Sequence, residues 1–380
     1  MFKYKLISVI IMKRICKMTV KLSIGTAVYN LDESFLRKHI EGIVRQLNDE
    51  TELLLIDDCS TNNSGEVCRE YADKYDMVRY INMGKNGGLS AVRNRTISEA
   101  AGEWIFFADG DDLLSDHFVE TALRFSDEPQ DIIILERLKF IDEKQEEEPC
   151  SVTELTCLPE EAGRELSISC LCLDNTITKD LGLPARAFYH AAWGALYRKD
   201  YLVENDLLFP VGQKKAQDSV FNTMAYYYAK RIAYLPYVMY FYRNNPGGIT
   251  QRYNPDLLEI YTMLNGHFEK CIEKLYPGDT DVRKRFNNHR AILMLQDYMR
   301  LNVLHKDNPK SRDERKQDFL HFIEIEPYKT AIAEFDPKAS GRWELSYGVS
   351  LARRKKFIEY GDEKYRIVSG VYRRIKKALS

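Results

Sequence analysis

The sequence lacks the glycine signatures of two common nucleotide-binding α/β folds. No G-x-G-x-x-G follows its first predicted strand, and no G-x-x-x-x-G-K-[S/T] occurs anywhere in its 380 residues. Such glycines let a backbone wrap closely around the phosphates of a cofactor or nucleotide. Their absence argues against a dinucleotide-binding Rossmann domain and against a P-loop enzyme.

The sequence also has little net charge and no cysteine pairing pattern. Its formal charge at pH 7 is −2, so the total gives no indication of a nucleic-acid partner. None of the 8 cysteines forms a C-x-x-C pair or a zinc-like spacing with histidine. We therefore expect reduced thiols in a cytoplasmic protein.

Long apolar runs are missing as well. The stretch 6–12 is apolar and has lysines on both sides, but it is too short to cross a bilayer and lacks a small-residue cleavage site. Regular sequence begins only after Met18. We interpret residues 1–19 as an N-terminal extension, with translation starting at Met18.

From residue 20 onward, short apolar runs alternate with amphipathic segments. The runs predict strands at 22–29, 52–57, 78–81 and 104–108, and the intervals predict helices that end near Gln46, Tyr75 and Ala100. Strands and helices that alternate with short connections favour an α/β fold, a mainly parallel sheet flanked by helices.

The chain becomes predominantly helical in its last third. Strands are predicted at 131–135 and, interrupted by Pro236, at 232–242, but apolar residues recur every three or four positions from about residue 257. We therefore divide the chain into an α/β domain at 20–250 and a helical C-terminal region at 251–380.

The C-terminal tail is basic. Residues 352–380 hold ten Lys and Arg against three Asp and Glu, a net +7, and place apolar residues on one helical face. A helix of this kind is able to lie on an anionic membrane. The alternative is an apolar stripe that packs on its own domain.

Three carboxylates follow the fourth predicted strand within four residues. They are Asp109, Asp111 and Asp112, directly after a buried apolar run. Acids crowded at a sheet edge repel each other unless a cation or a proton joins them, so the cluster indicates a divalent metal site. The alternative is a polar turn with helix-capping aspartates.

Several motifs occur together in a fixed order, and on them the chain resembles the family 2 glycosyltransferases with the GT-A fold. The resemblance covers residues 20 to about 250. It rests on Val28-Tyr29-Asn30, Leu55-Ile56-Asp57-Asp58-Cys59-Ser60-Thr61, Asn86-Gly87-Gly88-Leu89-Ser90-Ala91-Val92-Arg93-Asn94, Ala108-Asp109-Gly110-Asp111-Asp112, Ala192-Trp193-Gly194-Ala195-Leu196-Tyr197-Arg198 and Gln217-Asp218-Ser219-Val220-Phe221.

The resemblance implies a GT-A enzyme that transfers a sugar from a nucleotide-diphosphate donor, UDP-linked by expectation, with inversion at the anomeric carbon. It implies that Tyr29 stacks on the base, that Asp58 accepts a hydrogen bond from uracil, and that Arg93 lies near the phosphates. The alternative for Tyr29 is a tyrosine that closes a core strand. For Asp58 it is a helix N-cap, and for Arg93 it is a charge on the surface of a helix. Asp57 is expected to brace its turn.

The acidic turn corresponds to the family's D-x-D motif. Asp111 is the expected direct ligand of Mn²⁺ or Mg²⁺, and Asp109 is expected to contact the donor or the metal through water. Asp112 is expected to be the weakest member, capping the next helix. Trp193 is expected to meet an apolar sugar face, with a core position as the alternative. Arg243 is expected to reach the diphosphate.

Asp218 corresponds to the family's proposed general base, with an N-cap as the alternative role. The family usually has Glu-Asp here, where this chain has Gln217, and often has lysine where this chain has Ala195. We expect a glycan or lipid-linked glycan acceptor in surface polysaccharide synthesis, at the inner face of the cytoplasmic membrane if the tail binds there.

Two other classes compete with this interpretation. A nucleotidyltransferase needs a glycine-rich basic loop after the first strand, where this chain has Asn30-Leu31-Asp32-Glu33. A non-catalytic sugar-nucleotide or glycan-binding protein derived from the same fold stays open. Retention of Asp111 and Asp218 argues against it, whereas Gln217 gives it slight support.

Overall fold

The computed structural model describes residues 19–140, 147–174, 176, 178–243, 252–340 and 343–356. The predicted extension before residue 19, the segment 244–251 and the tail beyond 356 lie outside these residues. The described residues form two compact units that interleave along the chain. The first comprises residues up to 163, Leu181–Gly212 and 228–243, and the second comprises Arg164–Asp180, Gln213–Tyr227 and the remainder. The boundary near residue 250 stays a prediction.

The first unit is built on a mixed sheet. Its strands are β1 (Leu22–Val28), β2 (Thr51–Asp57), β3 (Val78–Asn82), β4 (Trp104–Asp109), β5 (Leu113–Leu114), β6 (Ile132–Phe140), β7 (Thr156–Cys157), β8 (Ala195–Arg198) and β9 (Ile232–Arg243). Their order is β3-β2-β1-β4-β8-β6-β9-β5, with β7 also paired to β9. The pairs among β1 to β4 are parallel, as is β6 with β9, whereas β8 runs antiparallel to both of its neighbours. The predicted mainly parallel α/β sheet is confirmed.

Helices cover this sheet because their apolar faces pack on its buried strands. They are α1 (Glu33–Val44), α2 (Ser64–Lys74) and α3 (Leu89–Glu99), followed by Phe118–Arg124 and Lys199–Glu204. Every residue of β2 is buried, as its central apolar run Leu53–Ile56 predicts for that part of the strand. Gly25 of β1 lets α3 approach, since a Cβ there would lie 2.1 Å from Thr96 Cγ2.

Strand β9 continues through Pro236 instead of breaking there. Tyr234 pairs with Ile134, and the next partners are Val238 and Glu136, so the register with β6 shifts across the proline. A shift of this kind accommodates a residue that has no N–H to donate. The second half of β9 therefore reaches the end of β4, where the acidic turn lies.

The second unit is helical. Its helices are Ala162–Cys172, which starts at the end of the first unit, Gln217–Tyr228, Leu257–Leu275, Thr280–Phe286, Ile292–Tyr298, Arg312–Phe322, Tyr328–Glu334, Pro337–Ser340 and Trp343–Arg353, with π-helical turns at Asn287–Ala291 and Met299–Val303. Buried polar contacts join them, among them Ser167 Oγ to the Thr223 carbonyl and Asn265 Nδ2 to the Tyr328 hydroxyl. No helix of the described part of the chain is long and apolar enough to cross a membrane.

Candidate active site

The end of β1 and the loop after β2 form one rim of the candidate site. Tyr29 directly follows β1 and is 50% exposed, so its ring is available to a ligand. Asn30 adopts a φ of 49°, and its Oδ1 accepts from the backbone N–H of Thr61 at 2.7 Å. Its own N–H donates to Ser60 Oγ at 3.0 Å. These bonds fix the two loops to each other beside an accessible aromatic ring.

Asp57 braces its turn. Its Oδ1 accepts from the Ser60 N–H at 2.9 Å, while Oδ2 accepts from the Tyr80 hydroxyl and from Asn82 Nδ2 at 3.0 and 3.1 Å. The Asp57 side chain is buried, although its partners Ser60, Tyr80 and Asn82 are partly or fully exposed. This geometry agrees with the structural part expected for Asp57.

Asp58 has a partner that the sequence did not suggest. Its Oδ1 accepts from the Gly87 N–H at 2.7 Å and its Oδ2 from the Gly88 N–H at 2.8 Å. Gly88, at a φ of 78°, precedes the first residue of α3, so the carboxylate sits at a helix N-terminus that favours negative charge. We expected the glycine loop to approach a ligand, but Asp58 occupies both amides. Each carboxylate oxygen keeps a second lone pair, so the predicted contact to uracil remains open as a prediction.

Arg93 and Asp109 form an ion pair at the end of β4. Arg93 Nη2 lies 3.1 Å from Asp109 Oδ1, and the Asp109 side chain remains 28% exposed. The buried guanidinium also lies over the Phe209 ring, with Cζ 5.4 Å from the centroid. Arg93 is therefore not a surface charge, because its buried side chain projects from α3 to the acidic turn.

Asp111 is the less enclosed of the turn's two remaining acids, since its side chain is half-buried and Asp112 is buried. No group of three or more His, Cys, Asp or Glu among the described residues is arranged to hold a metal ion. The described residues therefore do not provide a complete set of protein ligands for a metal ion. One or two carboxylates do fit Mg²⁺ or Mn²⁺ when phosphate oxygens and waters complete the coordination.

Asp112 corrects our expectation, because it caps no helix. It is buried, its Oδ2 accepts from the Tyr240 hydroxyl at 2.5 Å, and its Oδ1 accepts from the Arg243 N–H at 2.7 Å. Burial, helped by the charges of Asp109 and Asp111, raises the pKa of Asp112 well above its usual range. Asp112 thus anchors the acidic turn to β9.

His39 supports the same turn from α1. The carbonyl of Asp112 lies 2.8 Å from Nδ1, so Nδ1 carries the proton and donates, and Nε2 accepts from the Thr26 hydroxyl at 2.9 Å. Burial lowers the pKa of His39 to about 4. A neutral imidazole therefore serves as a fixed donor to the acidic turn.

Gly110 allows the turn to pass close to β1. A Cβ at this position would lie 2.6 Å from Leu31 Cδ1 and 3.1 Å from the Ala27 carbonyl oxygen. Its N–H donates to that same carbonyl at 3.3 Å. The residue between Asp109 and Asp111 is therefore glycine for reasons of space.

Trp193 lies in an aromatic stack. Its ring is 4.6 Å from that of Tyr240 at an interplanar angle of 6°, and 5.2 Å from that of Phe188 at 12°. Only 6% of Trp193 is exposed, which leaves little ring surface for a sugar. The structure therefore favours the core alternative, and a donor contact by Trp193 stays a prediction without geometric support.

Asp218 belongs to the second unit, whereas the acidic turn belongs to the first. The helix begins at Gln217, so Asp218 is its second residue and lies in the first turn instead of at the capping position. The preceding Ala216 adopts a φ of 57°, which is uncommon for a residue with a side chain. The half-buried carboxylate thus sits where a strained backbone enters a helix.

The sequence did not reveal the part that β9 plays. Tyr240 reaches both Asp112 and the N–H of Asp109, the latter at 3.3 Å. Arg243 Nε donates to the Asp111 carbonyl at 2.8 Å, and its guanidinium lies 3.8 Å from the Phe35 ring centroid. The expected contact of Arg243 with diphosphate stays a prediction. The sequence feature that could have indicated this role of β9 is the run of aromatic residues that ends in Arg243.

Comparison with known proteins agrees with this architecture. Residues 23–202 match the family described as Glycosyl transferase family 2. The chain is 28% identical over 285 residues to EpsH of Bacillus subtilis (strain 168), named as a glycosyltransferase, across 74% of this chain and 78% of EpsH. It is 31% identical over 225 residues to the poly(ribitol-phosphate) beta-glucosyltransferase of Bacillus spizizenii, across 58% of this chain. The chain spans only 32% of that second relative.

A solved structure shows the same fold. The crystal structure of S. aureus TarS 1–349 in complex with UDP-GlcNAc superposes with a TM-score of 0.59 at 20% identity, covering 93% of this chain and 92% of that one. At this identity the likeness concerns the fold alone. The GT-A architecture expected from the motifs is confirmed.

His39→Gln should make the stability of the protein less sensitive to acid. In the folded state His39 protonates only near pH 4, whereas an unfolded histidine does so near 6.5. The unfolded chain therefore binds the extra proton first, and wild type should lose about 3 kcal/mol between pH 6.5 and 4 through this group. Urea unfolding of both proteins at pH 7.5, 5.5 and 4.5 measures the difference. Equal losses in wild type and variant would contradict a buried neutral His39.

Proposed function

Residues 23–202 belong to the family 2 glycosyltransferases, and from this premise we propose that the enzyme moves a sugar from a UDP-linked donor to an acceptor hydroxyl with inversion at the anomeric carbon. The observation that carries the proposal is the anchored acidic turn at the end of β4, with Arg93 paired to Asp109. Ligands of open α/β sheets bind at this carboxyl edge.

The donor's nucleoside fits beside β1 and β2. The exposed ring of Tyr29 offers a stacking surface for the base, and Asp58 retains acceptor capacity for a base N–H. Arg93 supplies a permanent charge next to Asp109 for the diphosphate. We assign these three side chains to donor binding, with Asp109 contacting the sugar or ribose.

Asp111 would hold Mn²⁺ or Mg²⁺ together with the diphosphate. A divalent cation there stabilises the charge that develops on the departing UDP. The chain's own contribution is positional: Asp112, Tyr240 and His39 fix the backbone of the turn from which the Asp111 carboxylate projects.

Asp218 is our proposed general base. An aspartate that accepts the acceptor's proton as its oxygen attacks the anomeric carbon needs no neighbouring acid, so Gln217 does not weaken this assignment. Support comes from the position of Asp218 in the first turn of its helix, after the strained Ala216.

We further propose that the acceptor is part of a surface polysaccharide or a lipid-linked glycan. The relatives include enzymes named for poly(ribitol-phosphate), a polymer that carries phosphate on every unit. The alternative function is a sugar-nucleotide or glycan-binding protein without activity. The ordered turn around Asp111 and the retained Asp218 favour an enzyme.

Asp111→Asn should lose the metal-dependent part of UDP binding. Because this change removes a charged oxygen ligand, we expect the affinity for UDP with Mn²⁺ to fall by about tenfold or more. Calorimetric titrations with Mn²⁺ and with EDTA measure the difference. Asp127→Asn is the matched control, since Asp127 is an exposed aspartate in an ion pair with Lys21. A variant that keeps full metal-dependent affinity would remove Asp111 from the metal site.

Asp218→Asn should bind the donor normally but fail to transfer sugar. Loss of a general base lowers kcat by about 10² to 10⁴. Transfer is followed as UDP release in the presence of a panel of glycan acceptors, and donor affinity is measured separately. Unchanged transfer would exclude Asp218 as the base, whereas donor binding without transfer by the wild type would favour the binding-protein alternative.

A further inference from the structure

Arg137, on β6, lies on a platform of three aromatic rings. Its Cζ is 4.0 Å from the ring centroid of Phe188, 5.8 Å from that of Trp193 and 6.0 Å from that of Tyr242. Trp193 also stacks on Tyr240. The platform therefore places a cation beside Tyr240, the residue that anchors the acidic turn.

The guanidinium of Arg137 has no carboxylate partner among the described residues. Its Nε is buried and makes no hydrogen bond, and burial lowers its pKa. The adjacent Glu136 is no partner, because it accepts a bond from the Tyr234 hydroxyl and pairs with Arg186 at 3.1 Å.

Arg137 is half-buried, so its guanidinium has lost part of its hydration. Complete removal of a charge from water costs several kcal/mol unless an opposite charge or hydrogen bonds replace the lost solvation, and a part of that cost applies to Arg137. Cation–π contacts return only about 0.5–2 kcal/mol. Asp112 is the nearby acid whose charge acts on Arg137, but the Tyr240 hydroxyl and the Arg243 N–H already engage its carboxylate.

The sheet order places Arg137 beyond the acidic turn from the proposed nucleoside contacts. Tyr29 and Asp58 follow β1 and β2, the acidic turn follows β4, and Arg137 lies on β6, two strands further along. It pairs with Tyr240 in the register of β6 and β9. A donor whose base lies near Tyr29 and whose diphosphate lies near Asp111 would direct its sugar to this side.

We propose that Arg137 and its platform of Phe188, Trp193 and Tyr242 form a subsite for an anionic group, a carboxylate or phosphate, carried by the transferred sugar or by the acceptor. The proposal rests on the proposed function for its placement. The planar guanidinium supplies parallel donors that match both anions, and the aromatic faces hold it in one orientation.

A second arginine shows what a purely structural stacked arginine looks like. Arg198 on β8 lies 4.5 Å from the Trp104 ring centroid, but its Nε donates to the Gln130 carbonyl at 2.9 Å and its Nη1 lies 3.8 Å from Glu103. The Arg198 guanidinium therefore has both a hydrogen-bond acceptor and a carboxylate partner within the protein. Arg198 is therefore the matched control for Arg137.

The test is calorimetric titration of the full-length protein with glycerol phosphate and with glucuronate, against the neutral probes glycerol and glucose. EDTA is present, so that the probes cannot bind through a metal at Asp111. Wild type, Arg137→Gln, Arg137→Lys and Arg198→Gln are compared, and thermal unfolding verifies that each is folded. UDP affinity with Mn²⁺ is measured in parallel to test the donor site separately.

We expect saturable binding of at least one anion by wild type and by Arg198→Gln, and none of the neutral probes. Arg137→Gln should weaken that binding about tenfold or more. Arg137→Lys should weaken it by less, because lysine keeps the positive charge but lacks the two parallel N–H donors of the guanidinium. If Arg137→Gln does not fold, the loss in Arg137→Lys carries the test. Absence of anion binding by wild type, or equal binding by the Arg137 variants, overturns the subsite even if UDP binds normally.

Two donors distinguish the sources of the anion. A loss of UDP-glucuronate affinity in Arg137→Gln with unchanged UDP-glucose affinity would assign the subsite to the transferred sugar. Unchanged affinity for both donors, together with lost glycerol phosphate binding, would assign it to the acceptor. If anion binding depends on Arg137 while UDP fails to bind, the subsite stands and the proposed donor site does not.

Discussion

The hydrogen bond from the Tyr240 hydroxyl to the buried Asp112 carboxylate is the contact on which the candidate site depends. It spans 2.5 Å and joins positions 128 residues apart. Together with the Arg243 N–H it satisfies a carboxyl group that would otherwise be costly to bury. Since Asp109 and Asp111 belong to the same turn, β9 fixes their backbone as well, and Gly110 gives the turn room to lie against β1.

The turn accommodates three neighbouring acids because each of them has a different environment. Asp109 pairs with Arg93, and Asp112 is buried with two donors and a raised pKa. Asp111 has its backbone carbonyl fixed by Arg243 while its side chain stays accessible. The arrangement leaves one accessible carboxylate, on which the proposed site for a cation held mainly by a diphosphate is based.

The sequence predicted the strands that carry this site better than the side-chain contacts within it. Strands β2 and β4 contain continuous apolar runs, so these two strands and the place of the acidic turn followed from local patterns. The bracing role of Asp57 was also foreseen. The anchoring of Asp112 and the capture of the Gly87 and Gly88 amides by Asp58 were not, since each joins segments distant in the chain. Burial of Trp193 likewise depends on the Tyr240 ring of β9, which is distant in the chain.

The central claim is that β9 holds the acidic turn in the conformation for which we propose metal binding, and Tyr240→Phe tests it most directly. The variant keeps the ring that stacks on Trp193 and removes only the hydroxyl that reaches Asp112. The account predicts that UDP affinity with Mn²⁺ falls about tenfold, as when a partner behind a metal ligand is removed, while affinity in EDTA changes little. Unchanged metal-dependent affinity in a folded Tyr240→Phe protein would contradict it.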